Sequence, residues 1–150
     1  MIHIELQNAS RSPRVPSEED LARWAKAVAT AKDQEIVVRV VDEEESAELN
    51  GLYRGKSGPT NVLSFPFEAP PSMETDILGD LVVCAPVVER EALEQGKSLP
   101  AHWAHMVVHG ILHLHGYDHI EEHEAVIMES EEIAILSGLG FPNPYQEQVP

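Results

Sequence analysis

Six of the chain's eight histidines fall within the eighteen residues His102–His119, and this segment constrains the fold more than any other. Its remaining positions are largely apolar, and Pro100 suits the first turn of a helix that continues to about His115. His109 and His113 are four residues apart, so a helix places both imidazoles on one face, one turn apart. This spacing predicts that the two side chains bind one metal ion.

Gly116 is predicted to end this helix, because glycine adopts the left-handed conformation without a Cβ clash. The bend that follows can bring His119 to the same ion, which gives three neutral nitrogen ligands. Zinc with three protein ligands keeps a fourth position for water, whereas structural zinc sites are usually closed by four ligands. We therefore predict one zinc ion per chain, with a bound water whose pKa is lowered to about 7.

The other histidines of the segment are predicted to have different roles. His105 and His102 lie one and two turns earlier on a similar face. They could line a pocket or support the ligands, but we favour a structural role for each in the packing of the helix. His115 points away from the face of His109 and is predicted to face solvent or neighbouring side chains.

The residue after the first predicted ligand is Gly110, where zinc peptidases of the H-E-x-x-H type place a glutamate base. Peptide hydrolysis by that route is therefore disfavoured. A zinc-activated water that attacks a phosphodiester needs instead a cation to hold the phosphate. Arg54 and Lys56, in the loop RGKSGPT, are the candidates, since arginine grips phosphate bidentately and lysine acts as a point charge. The alternative interpretation is that Arg54 only pairs with one of the many carboxylates.

The length of 150 residues fits a single domain, residues 1–150. Hydrophobic periodicity predicts an α+β fold in which about five helices pack on a small mixed four-stranded sheet, with the histidine helix at a cleft. Pro66 predicts that the third strand ends there or lies at an edge. The predicted strands are Ile2–Leu6, Glu35–Val41, Asn61–Phe65 and Leu78–Ala85, and the predicted helices are Ser17–Ala31, Glu43–Tyr53, Pro86–Gln95, Pro100–His115 and Glu121–Leu136.

The composition excludes several classes of protein. Asp and Glu number 26 against ten Lys and Arg, and the net charge of −16 argues against a generic electrostatic grip on nucleic acid or on an anionic membrane. The single cysteine, Cys84, excludes an internal disulfide and a multi-cysteine metal site. No apolar run is long enough to span a bilayer, and the first residues do not resemble an export signal. We expect a cytoplasmic protein.

Three stretches together resemble one known family. They are YRGKSGPTNVLSFPFE (Tyr53–Glu68), LGDLVVCAPVVERE (Leu78–Glu91) and HWAHMVVHGILHLHGYDH (His102–His119). In order and spacing they are similar to the YbeY-type endoribonucleases of bacterial rRNA maturation. The resemblance covers the chain from about residue 42 to residue 136, and the histidine segment is its most specific part.

The resemblance implies a zinc-dependent, single-strand-specific endoribonuclease that acts in late 3′-end maturation of small-subunit rRNA and in ribosome quality control. Carried over by position, His109, His113 and His119 would be the zinc ligands, and Arg54 would be the catalytic or phosphate-binding residue. His115 stands where the family usually has leucine, a position off the ligand face. The implied partners are single-stranded rRNA on the small ribosomal subunit, a small-subunit ribosomal protein and the GTPase Era.

Other functions stay open at this point. The protein could be a ribosome assembly factor with a structural zinc and no activity, or a zinc hydrolase of amide or peptide bonds that uses Asp80 or Asp118 as a base. Paired imidazoles could also cleave RNA without metal, through the 2′-hydroxyl group. An acidic protein repels free RNA, so we expect either a locally positive cleft or delivery of the RNA by protein partners.

Overall fold

A computed structural model describes residues 1–70, 75–118 and 120–145. Within these ranges the chain forms one four-stranded sheet and five helices, which confirms the predicted α+β fold. His119 lies outside the described residues. The strands are β1 (Ile2–Asn8), β2 (Gln34–Val41), β3 (Val62–Pro66) and β4 (Ile77–Cys84), and the helices are α1 (Glu18–Lys26), α2 (Glu43–Arg54), α3 (Ala85–Gln95), α4 (Leu99–Leu114) and α5 (Glu122–Gly138).

The sheet is mixed, with the strand order β1-β2-β4-β3. β2 pairs in parallel with β1 and with β4, and β3 pairs with β4 in the antiparallel direction. β3 is therefore an edge strand, and it ends at Pro66, as the missing N–H group of proline requires. Residues of this edge strand border a cavity that is described below.

Helix α4 is the centre of the molecule. It packs on β3 and β4 and also contacts α1, α3 and α5. A helix surrounded in this way must be apolar on nearly every side, which explains the sequence of its body. Gly110 lets α4 approach the sheet closely, because a Cβ atom at this position would lie 2.7 Å from Cδ2 of Leu81. The position where zinc peptidases carry a glutamate base is thus closed by packing against β4.

Two helix ends show how local sequence positions the chain. Ser17 caps α1 by accepting a hydrogen bond from the backbone N–H of Asp20, but α1 ends at Lys26 rather than at the predicted Ala31. The chain leaves the helix early because it must return to Gln34, where β2 pairs with β1.

Helix α2 continues through Gly51 and ends at Arg54. Gly55 follows in the left-handed conformation, with φ 65°, which non-glycine residues rarely adopt. Arg54 therefore lies in the last turn of a helix, directly before the loop that contains Lys56.

The two faces of the sheet are covered unequally. The face toward α1 and α4 carries the main core, whereas a smaller cluster around Leu63 and Val82 lies under part of the other face. Val37 and Arg39 of β2 are only half-buried on that second face. Among the described helices, none combines the length and the apolar character needed to cross a lipid bilayer.

Candidate metal centre

A cavity of about 840 Å³ opens between the end of α2, the edge strand β3 and the helix α4. It brings together side chains that are far apart in the sequence, and three of the four predicted site residues line it: Arg54, His109 and His113. The remaining lining residues are Tyr53, Lys56, Asn61, Val62, Leu63, Ser64, Phe65, Asp118 and Ile120.

The imidazoles of His109 and His113 lie side by side in this cavity. Their ring centroids are 4.7 Å apart and their planes are inclined by 76°. Two imidazoles that bind one tetrahedral zinc at about 2.1 Å place their centroids about 5 Å apart. The pair therefore fits a shared metal ion in both spacing and donor type. The third predicted ligand, His119, is outside the described residues, so the set of three histidines stays a prediction.

The structure adds a buried carboxylate that sequence analysis missed. Glu132 of α5 is fully buried, and its Oε1 lies 2.6 Å from Nδ1 of His109. Its Oε2 lies 2.9 Å from Nε2 of His105 and also accepts a hydrogen bond from the hydroxyl group of Tyr145. Both carboxylate oxygens are thus hydrogen-bonded.

These contacts determine the charges at the site. Burial opposes ionisation of Glu132, but the hydrogen bonds from His105, His109 and Tyr145 outweigh it and lower the pKa of Glu132 to about 2. Burial lowers the pKa of His105, so this imidazole is neutral near pH 7. An ionised carboxylate only accepts hydrogen bonds, and each of the two histidines therefore directs an N–H group toward Glu132.

His105, His109 and Glu132 could also hold a metal ion directly, since their potential ligand atoms all lie within 4.8 Å of one another. Ligand atoms around a tetrahedral zinc are about 3.3 Å apart, given bonds of 2.0 to 2.1 Å. The 2.6 Å between Glu132 and His109 is shorter than this and is a hydrogen-bond distance. Glu132 is also fully buried, away from any open coordination position, so the geometry favours hydrogen bonds within this group.

The remaining histidines of the segment have separate partners. His102 is buried, and its Nε2 lies 2.9 Å from Oε1 of Glu91. His115 lies 2.8 Å from the side-chain oxygen of Gln34 in β2, on another side of α4. Both positions confirm the predicted packing roles. His105 differs, because it shares the carboxylate of Glu132 with His109 and so contacts the candidate site through one intervening group.

Arg54 and Lys56 are both exposed and both line the cavity. In the part of the chain that the structure describes, no carboxylate forms an ion pair with Arg54. The alternative interpretation, that Arg54 serves a surface salt bridge, therefore finds no partner among those residues. The guanidinium group is available to an anion that enters the cavity.

The two aspartates considered as bases lie in different places. Asp118 lines the cavity together with the histidine pair. Asp80 is exposed on the opposite face of the sheet, because its neighbour Leu81 contacts Gly110 of α4 and side chains alternate along a strand. Asp80 is therefore excluded as a base for chemistry at the histidines.

Comparisons with known proteins agree along nearly the whole chain. A family model described as Endoribonuclease YbeY matches residues 5–140. A protein of Methylococcus capsulatus (strain ATCC 33009 / NCIMB 11132 / Bath) named Endoribonuclease YbeY is 64% identical over 147 residues, which are 98% of this chain and 97% of that protein. The solution structure of TM1509 from Thermotoga maritima is similar with a TM-score of 0.58 at 30% identity, and covers 100% of this chain and 98% of that one.

Proposed function

This chain belongs to the YbeY endoribonuclease family, and from that premise we propose that it is a zinc-dependent endoribonuclease specific for single-stranded RNA. One observation carries the proposal: a single cavity is lined by the adjacent imidazoles of His109 and His113 and by the cations Arg54 and Lys56. The imidazoles supply ligands for zinc, and the cations supply charge for a phosphodiester.

Each of these residues has a defined task in phosphodiester cleavage. His109 and His113 would hold the zinc, with His119 as the third ligand. Bound zinc lowers the pKa of a coordinated water and polarises a phosphoryl oxygen. Arg54 grips the non-bridging phosphate oxygens and offsets the negative charge that develops on them in the transition state. Lys56, two residues further along the chain, adds a second positive charge that attracts the RNA backbone.

An aromatic pair in the same cavity supports the preference for single strands. Tyr53 is 62% exposed, and its ring meets the ring of Phe65 edge to face with centroids 5.2 Å apart. Tyr53 and Arg54 both line this cavity, so a base stacked on the tyrosine ring would lie in the same cavity as the guanidinium group. Bases in a duplex are already stacked, whereas bases in a single strand can turn out onto an aromatic side chain.

The stacking role predicts the effect of the substitution Tyr53→Leu. Because base–aromatic stacking contributes about 1 to 3 kcal/mol, the Kd for a short single-stranded RNA should rise about tenfold or more. Tyr53→Phe should bind as the original protein does. Fluorescence anisotropy with a dye-labelled RNA measures both. Leu52→Ser is the matched control, since Leu52 is also exposed on α2 but is not among the residues that line the cavity. Equal affinity of the Tyr53→Leu and Leu52→Ser variants would contradict the stacking role.

For the biological substrate we propose the 3′ end of small-subunit rRNA, cleaved late in maturation and during ribosome quality control. The net charge of −16 favours a substrate that is presented locally rather than captured from solution. A small-subunit ribosomal protein and the GTPase Era would bring the RNA to the cavity, where Arg54 and Lys56 offset the surrounding acidity. The protein would act in the cytoplasm.

Removal of the metal tests the proposed chemistry. Elemental analysis of the purified protein is expected to give one zinc per chain. A strong chelator should abolish cleavage of an unstructured RNA, and added zinc should restore it, because the metal supplies the activated water. The same RNA annealed to its complement should stay uncut. Cleavage that survives chelation and leaves 2′,3′-cyclic phosphate ends would contradict the proposal and favour metal-free cleavage by imidazoles.

A parallel substrate panel separates the other functions. An amide or peptide hydrolase would cleave peptides and leave RNA intact, with Asp118, a carboxylate that lines the cavity together with the histidine pair, as its base. A non-enzymatic assembly factor with a structural zinc would cleave neither, even when fully loaded with metal. Either result would overturn the proposed nuclease activity.

A further inference from the structure

Glu132 interrupts the buried stripe of helix α5. Met128 and Leu136, one turn to either side, are buried apolar residues, and Glu132 between them is also fully buried. Of the other four glutamates of α5, two are exposed (Glu122 and Glu131) and two are half-buried. An ionised carboxylate in such a place is costly unless hydrogen bonds satisfy it. We therefore expect Glu132 to have a role that an apolar side chain at this position could not have.

The hydrogen bonds of Glu132 lead to the cavity. Oε1 accepts from Nδ1 of His109 at 2.6 Å, the shorter of its two contacts with imidazoles. His105 and Tyr145 hold the other oxygen, so the carboxylate cannot rotate without losing bonds on both sides. Glu132 is therefore a rigid acceptor, anchored on its far side and directed at His109.

When a carboxylate accepts a hydrogen bond from one nitrogen of a neutral imidazole, that nitrogen keeps the proton and the other nitrogen is unprotonated. The proton of His109 is kept on Nδ1, and the lone pair is left on Nε2, at the opposite edge of the ring. Histidines that bind metals commonly donate their second N–H to a carboxylate, which fixes the tautomer and raises the basicity of the ligand.

From this geometry we propose that Glu132 is a positioning residue: its carboxylate holds His109 with the proton on Nδ1, so that Nε2 is the nitrogen presented to the metal in the cavity. The inference rests on the proposed metal site and deepens it. It assigns to α5 a part in metal binding although Glu132 itself is not a ligand. His105 and Tyr145 serve the same arrangement by fixing the carboxylate.

The first test reads the tautomer of His109 directly. In the metal-free protein, ¹⁵N NMR of the imidazole rings is expected to show His109 protonated on Nδ1. In the Glu132→Gln variant the amide no longer offers two charged acceptors, and the ring should populate both tautomers. A ring of His109 protonated on Nε2 in the metal-free original protein would overturn the proposal without any variant.

The second test measures zinc affinity by competition with a chromophoric chelator. Glu132→Gln is expected to weaken zinc binding by about 10- to 100-fold, the usual effect of removing such a partner. Glu91→Gln is the matched control, since it makes the same change in a carboxylate that faces His102, a histidine of α4 that does not line the cavity. Its zinc affinity should stay near that of the original protein. A role of Glu132 in packing alone would lower the thermal stability of the Glu132→Gln variant and leave its zinc affinity unchanged.

The outcomes separate this inference from the proposed function. If the original protein binds zinc and cleaves RNA while Glu132→Gln binds zinc equally well, the positioning role is wrong and the nuclease function stands. If Glu132→Gln loses zinc as completely as His109→Ala does, Glu132 is a ligand, and the proposal is again wrong. If His109 is protonated on Nδ1 but RNA is never cut, the positioning geometry stands and the nuclease function fails.

Discussion

Replacing His113 by alanine is expected to abolish zinc binding and, with it, RNA cleavage. Two imidazoles one helical turn apart supply adjacent ligands, and the loss of one leaves a site that binds zinc too weakly to stay occupied. Metal that binds only the folded chain stabilises it by about 3 to 4 kcal/mol when free zinc is 100- to 1,000-fold above its Kd. The variant should lose this contribution, and its Tm should fall.

The loss of metal and the loss of side-chain packing can be separated by chelation. A chelator should lower the Tm of the original protein toward that of the His113→Ala variant and leave the Tm of the variant unchanged. His115→Ala is the matched control, because His115 follows the last residue of the same helix and its side chain contacts Gln34 in β2. That variant should retain one zinc per chain. Unchanged zinc stoichiometry in His113→Ala would remove His113 from the ligand set.

Replacing Arg54 by alanine is expected to lower kcat for RNA cleavage about 100- to 1,000-fold, the effect typical of removing one group that stabilises charge in a transition state. Zinc content and Tm should stay the same, because Arg54 is exposed and forms no ion pair within the described residues. Arg54→Lys should recover part of the activity, since lysine restores the charge but not the bidentate geometry. Single-turnover cleavage of a labelled RNA by zinc-loaded protein measures these rates.

A second arginine provides the control for charge alone. Arg90 on α3 is also exposed, pairs with Glu43 at 3.6 Å, and lies outside the cavity. Arg90→Ala makes the same change in net charge and should cleave RNA at nearly the original rate. Equal activity of the Arg54→Ala variant and the original protein would show that Arg54 takes no part in RNA cleavage. In cells, a purely structural role in ribosome assembly would survive Arg54→Ala, whereas a catalytic role would not.

Local sequence was enough to predict the helices and strands. The four-residue spacing of His109 and His113 requires only that the segment be helical, and helical periodicity is a property of neighbouring residues. Gly55 and Gly96 end α2 and α3 in the left-handed conformation, a choice that also depends on the residue itself. The largest difference is the early end of α1, where the chain must reach the sheet.

The site depended on contacts that no local pattern encodes. The hydrogen bond between His109 and Glu132 joins residues 23 positions apart on two helices. A buried glutamate on a helix with four other glutamates is not distinguished by residue type, although its place between Met128 and Leu136 is a signal that could have been used. The absence of an ion pair at Arg54 within the described residues likewise depends on where the carboxylates lie in space.

From its sequence alone, the chain's fold class, its central histidine helix and two adjacent candidate ligands could be stated, because each depends on the side-chain period of a helix or a strand. Only the tertiary structure placed Arg54 and Tyr53 on the same cavity as those ligands and set Glu132 behind His109. The reason is physical: periodicity determines which face of an element is buried, whereas the packing of α4 against β3, β4 and α5 determines which faces meet.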